Sequence, residues 1–133
     1  MHDPSAPLQA ALVARLRAQV PLVASRVYDR VTPTPTFPYL HIGATQVVPT
    51  EAGCVDYAEC SVTLHSWSRE VGAVEARRIS DQVSQALTDW TPDLSASGFA
   101  CSELRITSAM VMADPDGVTT HGVIQIEAQT ERI

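Results

Sequence analysis

From Tyr57 to Trp67 the chain alternates residue by residue, with Ala58, Cys60, Val62 and Leu64 set between Tyr57, Glu59, Ser61, Thr63 and His65. A period of two sustained this long puts the apolar side chains on one face of a strand and the polar ones on the other. Such a strand is stable only when neighbours extend the sheet and something apolar covers the inward face. Two segments can supply the cover. Leu8, Leu12 and Leu16 recur at helical spacing behind Ser5, a suitable N-cap, with Pro7 in the first turn and Pro21 as the stop. A second helix is expected from a Ser68 cap to about Trp90, with Val71, Val74, Ile79, Val83, Ala86, Leu87 and Trp90 as its stripe. On its wet side Glu75 can pair with Arg78, or Arg77 with Asp81.

Further strands complete the sheet. Pro38 to Val48 reads as one, with Leu40, Ile42 and Ala44 inward, after the stiff connector Thr32-Pro33-Thr34-Pro35-Thr36. Pro49 to Asp56 reads as an acidic loop. After the small-residue stretch from Thr91 to Gly98, the runs Cys101–Ala113 and Val118–Thr130 flank Asp114-Pro115-Asp116-Gly117, a strong turn signal, and predict an antiparallel hairpin. The expected fold is therefore α+β: an antiparallel or mixed sheet of about four strands packed against two helices, in the order α-β-β-α-β-β. A short extra strand can form near Tyr28. At 133 residues this is one domain, 1–133, of roughly 14 Å radius of gyration.

Composition narrows the function. The chain has 9 Arg, no Lys and 15 acidic residues, a net charge of −6, so a phosphate-neutralising nucleic-acid surface is not expected. Hydrophobic residues make up 45% and charged ones 18%, which is the balance of a folded chain and not of a disordered one. No apolar run is long enough for a membrane span, the start lacks signal-peptide features, and synthesis in a bacterial cytoplasm is expected. Cys54, Cys60 and Cys101 form no CxxC motif and read as free thiols.

Catalytic and cofactor patterns are missing. There is no GxSxG elbow, no phosphate-cradling glycine loop and no HExxH, and Asp114, Asp116 and Thr119 fit a turn better than a calcium loop. His41, His65 and His121 each fall on an expected strand. If His65 and His121 share a face of neighbouring strands, a two-histidine metal site or an acid/base pair is the alternative reading, for a small α+β enzyme or metal-binding protein. Trp67 and Trp90 read as core closure, with an interface anchor as the functional alternative. Tyr28 and Tyr39 flank the proline connector and can pack beneath it or meet a neighbouring subunit.

Taken in order, Leu8-Gln9-Ala10-Ala11-Leu12, Arg26-Val27-Tyr28-Asp29-Arg30-Val31, Phe37-Pro38-Tyr39-Leu40-His41-Ile42-Gly43, Leu64-His65-Ser66-Trp67-Ser68 and Asp114-Pro115-Asp116-Gly117 before His121-Gly122-Val123 span nearly the whole chain. In this order the chain resembles the tail-completion or tail-terminator proteins of long-tailed bacteriophages and phage-like gene transfer agents. The resemblance implies a virion structural protein and no enzyme: a ring, commonly of six copies, that caps the tail tube at the head–tail junction and meets a head-side connector or stopper. It implies no cofactor, no metal, no membrane partner, and DNA that passes through the lumen without specific binding. A ring needs two different surfaces per chain. The residues expected at subunit or tail-tube interfaces are Tyr28, Tyr39, Glu51, Asp56, Trp67, Asp114 and Asp116, because projecting loops and exposed aromatics are the usual tools of binding.

Overall fold

The computed structural model describes residues 2–53 and 55–133, and of Glu51 and Ala52 the backbone alone. Helix α1 runs Ser5–Gln19 and buries Leu8, Leu12 and Leu16 completely. Ser5 does not cap it. The preceding Asp3 does the capping work, its Oδ1 accepting the Ser5 N–H at 2.8 Å, and these bonds hold the Asp3 carboxyl below its ordinary value. Pro21 ends the helix as expected and opens a 3-10 turn, Pro21–Val23.

Strand β1 is the short Val27–Tyr28, parallel to the start of β2, Tyr39–Ala52. β3, Val55–Ser68, follows antiparallel to β2. Helix α2, Val74–Leu87, then precedes β4, Phe99–Ala113, and β5, Thr120–Arg132. The five strands lie in the order β1-β2-β3-β5-β4. The sheet is thus mixed, with one strand more than the four expected, and the fifth is the short piece at Tyr28. The connector between β1 and β2 is tied down where Arg26 Nε donates to the Pro38 carbonyl at 2.9 Å and the His41 ring meets the Asp29 carbonyl at 3.0 Å.

Further expectations need correction. Pro49 to Asp56 is the end of a β2–β3 hairpin, with Pro49 opposite Ala58 and Glu51 opposite Asp56. The proline is tolerated because β1 stops at the level of His41, leaving this half of β2 as a sheet edge where a missing N–H need not break a ladder. Ala44 is exposed, because a bulge between Ile42 and Thr45 shifts the register by one residue and brings Val47 to the core instead. Ser68 closes β3 rather than capping α2, which starts six residues later at Val74.

Ser68 still organises that corner: its buried hydroxyl donates to Glu75 Oε1 at 2.8 Å and accepts the Glu70 N–H at 3.3 Å. Glu75 therefore turns to Ser68, and Asp81 accepts from Gln85, so neither pairs with Arg78 or Arg77. Val71 falls outside the helix and is 94% exposed. Trp90 lies just beyond it, with the Arg15 guanidinium 5.3 Å from its ring centre. The stripe that packs is Ala76, Ile79, Val83, Ala86 and Leu87. Together with the α1 leucines and the inward residues Leu40, Ile42, Cys60, Val62, Leu64, Ile124 and Ile126, it forms one core on one face of the sheet.

Candidate assembly surfaces

Both helices cover the same face, so among the described residues no layer covers the other face of the sheet. The strict alternation of β3 and β5 puts Tyr57, Glu59, Ser61, Thr63, His65 and Trp67 of β3 and His121, Val123, Gln125, Glu127, Gln129 and Glu131 of β5 on that outer face. Register then builds rows across the strands. Tyr39, Trp67, His121 and Met112 are successive cross-strand partners, and so are His41, His65, Val123 and Met110.

These rows are aromatic and imidazole-rich. Trp67 stacks on His121 with centroids 3.9 Å apart and planes 7° from parallel. His65 Nδ1 and His121 Nε2 are 2.8 Å apart, so one ring donates and the other accepts, which requires at least one neutral imidazole. Burial pulls both imidazoles below their ordinary value; His121 and His41 push His65 further down by charge, and Asp114 partly offsets the effect on His121. Gly43 makes this possible: a Cβ there would meet His65 Nε2 at 2.6 Å, so the absence of a side chain gives the ring its seat. The two histidines do come together as the alternative reading required. Among the described residues, however, no three metal-ligating side chains form a group that could hold an ion.

The aromatic end continues beneath the connector. Phe37 and Tyr28 lie 5.1 and 6.0 Å from the Tyr39 ring, and the Arg69 guanidinium sits 4.2 Å over Phe37. Tyr39 is 8% exposed, so it is the packed centre of this cluster, and burial raises its phenol pKa. Away from this end the outer face becomes polar, with Thr63 donating to Gln125, Gln129 to Glu59, and Arg105 paired with Glu127 at 3.0 Å.

The seven residues singled out from the sequence thus fall at two opposite ends of the sheet. Tyr28, Tyr39 and Trp67 share the aromatic end with the β4–β5 turn. In that turn Asp116 accepts the N–H groups of Val118 and Thr119 at 2.9 and 2.8 Å and the Thr119 hydroxyl at 2.6 Å, which holds its carboxyl below the usual range. Its carboxylate is a builder of the turn. The Asp114 N–H donates to the Thr119 carbonyl at 2.9 Å. Asp56 lies at the far hairpin end, paired with His2 at 3.0 Å. Glu51 has its backbone opposite Asp56, and its side chain is outside the described residues, as is Cys54. Cys60 and Cys101 are free thiols, with burial pushing the Cys60 pKa up to about 11.

One feature escaped sequence reasoning: the exposed apolar side chains Val71, Met112 and Val118 line a cavity of about 530 Å³ between the β3–α2 segment and the β4–β5 hairpin, and Met110 is exposed on the same outermost strand. The signal for it was the run Met110-Val111-Met112 on an outermost strand, which presents apolar side chains on both faces.

The fold defines a two-layer α+β module with both helices on one face of its sheet and exposed apolar side chains gathered at one end, the kind of feature that marks an interaction surface. The model of the family described as "Tail completion protein gp17" matches residues 10–131, and the chain belongs to that family. The tail completion protein gp17 of Bacillus phage SPP1 is 33% identical over 123 residues, covering 90% of this chain and 88% of the relative. Its solved structure superposes with a TM-score of 0.60 at 28% identity, covering 93% of this chain and 88% of that one. A chain of the virion of a native gene transfer agent particle has the same fold, with a TM-score of 0.83 at 22% identity over 98% of this chain and 99% of that one. The names of the family and the relative indicate no catalytic activity.

Proposed function

We propose that this chain forms a homo-oligomeric, hexameric ring that caps the tail tube of a phage or gene transfer agent particle and joins it to the head-side connector or stopper. The observation that carries this reading is the family match across residues 10–131, to a family described by tail completion. A sheet face and a sheet end left uncovered in the single chain support it, because a ring needs two different patches per copy. Trp67 and Tyr28 serve at the aromatic end and Glu51 and Asp56 at the hairpin end, while Tyr39 and Asp116 hold their neighbours in position and Asp114 borders the turn. The net charge of −6 keeps phosphates from sticking where DNA passes through the lumen.

The test is electron microscopy of particles from cells with the gene deleted. Overlong tails, or tails and heads found apart, are expected. Joined particles of normal tail length would overturn the proposal.

A further inference from the structure

A sheet guards its outermost strands with charged side chains, because a bare edge pairs with any strand it meets. Here two long edge stretches lack that guard. β4 is outermost on one side, and its residues 106–113 include no charged side chain. On the other side β1 reaches only Leu40 and His41, so β2 is open beyond them, and residues 42–50 are uncharged as well. The inner strands carry charge freely, with Glu59 on β3 and Glu127 and Glu131 on β5. Both stretches are therefore left fit for pairing, where a lone sheet would block it.

The two bare edges also fit one another. β2, β3, β5 and β4 are each antiparallel to the next, so β4 runs opposite to β2, and a second copy in the same orientation lays its β2 antiparallel to the first copy's β4. The exposed apolar side chains agree in face. Val48 on β2 and Met110 and Met112 on β4 all belong to the outer face, and a sheet continued across the two edges brings them together. On the inner face Val47 of β2 and Ile106 of β4 pack against the core and are only partly buried. The helices allow the same continuation. α1 lies over β1 and β2, and α2 over the other three strands, so each copy's α2 comes beside the next copy's α1.

We infer that the open edge of β4 in one copy pairs with the open edge of β2 in a second copy of this chain, so that one sheet runs from subunit to subunit. Repeated head to tail, this single contact fills both edges of every copy and closes into a ring. A strand of another protein fills one edge and leaves the other bare, and a β4–β4 pair leaves β2 bare and stops at two copies. The ladder has defined limits. Pro49 has no N–H to give and β1 bars the approach at His41, which leaves residues 42–48 of β2. To clear β1, β4 is displaced along the strand direction, the stagger that a sheet needs to close on itself, and its residues 108–113 come to lie beside that stretch. The inference rests on the ring reading above and deepens it by naming the two edges that meet.

The test uses particles assembled in cells. With Val48→Cys and Met110→Cys in one chain, treatment with a short bis-maleimide is expected to give a ladder of covalent multimers of this chain, which neither single variant gives. Val48 and Met110 are 48% and 56% exposed, so Val48→Lys and Met110→Lys are expected to leave Tm unchanged. Each lysine guards an edge, and each variant is expected to lower the yield of joined particles by about tenfold. Dimers from Met110→Cys alone, or cross-links to a different virion protein, would overturn the second copy's β2 as the occupant. Absence of multimers from the double cysteine variant, or normal joining by both lysine variants, with a ring of this chain still visible at the tail end, would overturn the edge pairing and leave the ring intact. A wild-type tail end without a ring of this chain would overturn the ring itself.

Discussion

A hydrogen bond between two imidazoles survives only while one of them keeps a free lone pair. Burial first, with the His65–His121 contact at 2.8 Å beside it, makes proton uptake costly, and the folded pKa of each ring lies below its ordinary value. The folded chain then binds fewer protons than the unfolded chain between the folded values and about 6.5. Stability from the pair is fully present above about pH 6.5 and declines as pH falls through that value, levelling off once the folded rings are protonated too. Asp3 and Asp116 act in a lower window, because their depressed carboxyl pKa values maintain stability until pH falls below about 4. Thermal unfolding followed from about pH 8 to about pH 5 should thus show Tm falling below about 6.5, and His121→Gln should make that decline shallower. Parallel declines for the wild type and the variant would show that the pair does not carry the effect.

Helix α1 owes its position to three fully buried leucines, whereas the residues just before α2 are bare, and the two should respond to truncation differently. Leu12→Ala should reduce the unfolding free energy by about 3 kcal/mol, through lost apolar burial plus a cavity. Val71→Ala, in the apolar stripe expected from the sequence, should change it by no more than about 0.5 kcal/mol. Denaturant titration of both variants measures the contrast; a large loss at Val71 would mean that this segment packs in solution. The same contrast marks where sequence reasoning held. Alternation in β3 and the Asp114–Gly117 turn were legible because each is a local rule, a period of two and a turn chemistry, that the sheet then obeys. The start of α2 was not, because Ser68 has the chemistry of a cap but is claimed by the β3–β5 ladder, opposite Thr120. Pro49 and the acids around it imitate a loop because nothing local announces that this part of β2 has a neighbour on one side only. The outer-face histidine pair was legible as a possibility, since it needs only matching parity on adjacent strands. Its companion Gly43 was not, because the bulge beside it depends on how two strands meet.

At the scale of the molecule, charge decides how the chain treats DNA. Arg15, Arg17 and Arg26 donate to carbonyls of their own chain, Arg69 lies on Phe37 and Arg105 on Glu127, so most of the arginines already have work inside the fold. The outer sheet face adds Glu59, Glu127 and Glu131 from β3 and β5. Non-specific DNA binding comes from counterion release by unpaired cations, which are scarce here, and a net charge of −6 opposes approach. The purified chain should show no retardation of duplex DNA at about 0.15 M salt, even where ordinary non-specific binders with Kd near 10 μM would be retained. Glu59→Arg, Glu127→Arg and Glu131→Arg combined reverse the sign of the polar part of that face and should create retention that falls steeply with added salt. Retention of the wild-type chain at this salt would mean that its cations are displayed together, and would overturn the proposal that DNA passes this chain without sticking. No retention by the triple variant would show that the outer face is not reached by a duplex, and that the negative charge acts from elsewhere on the chain.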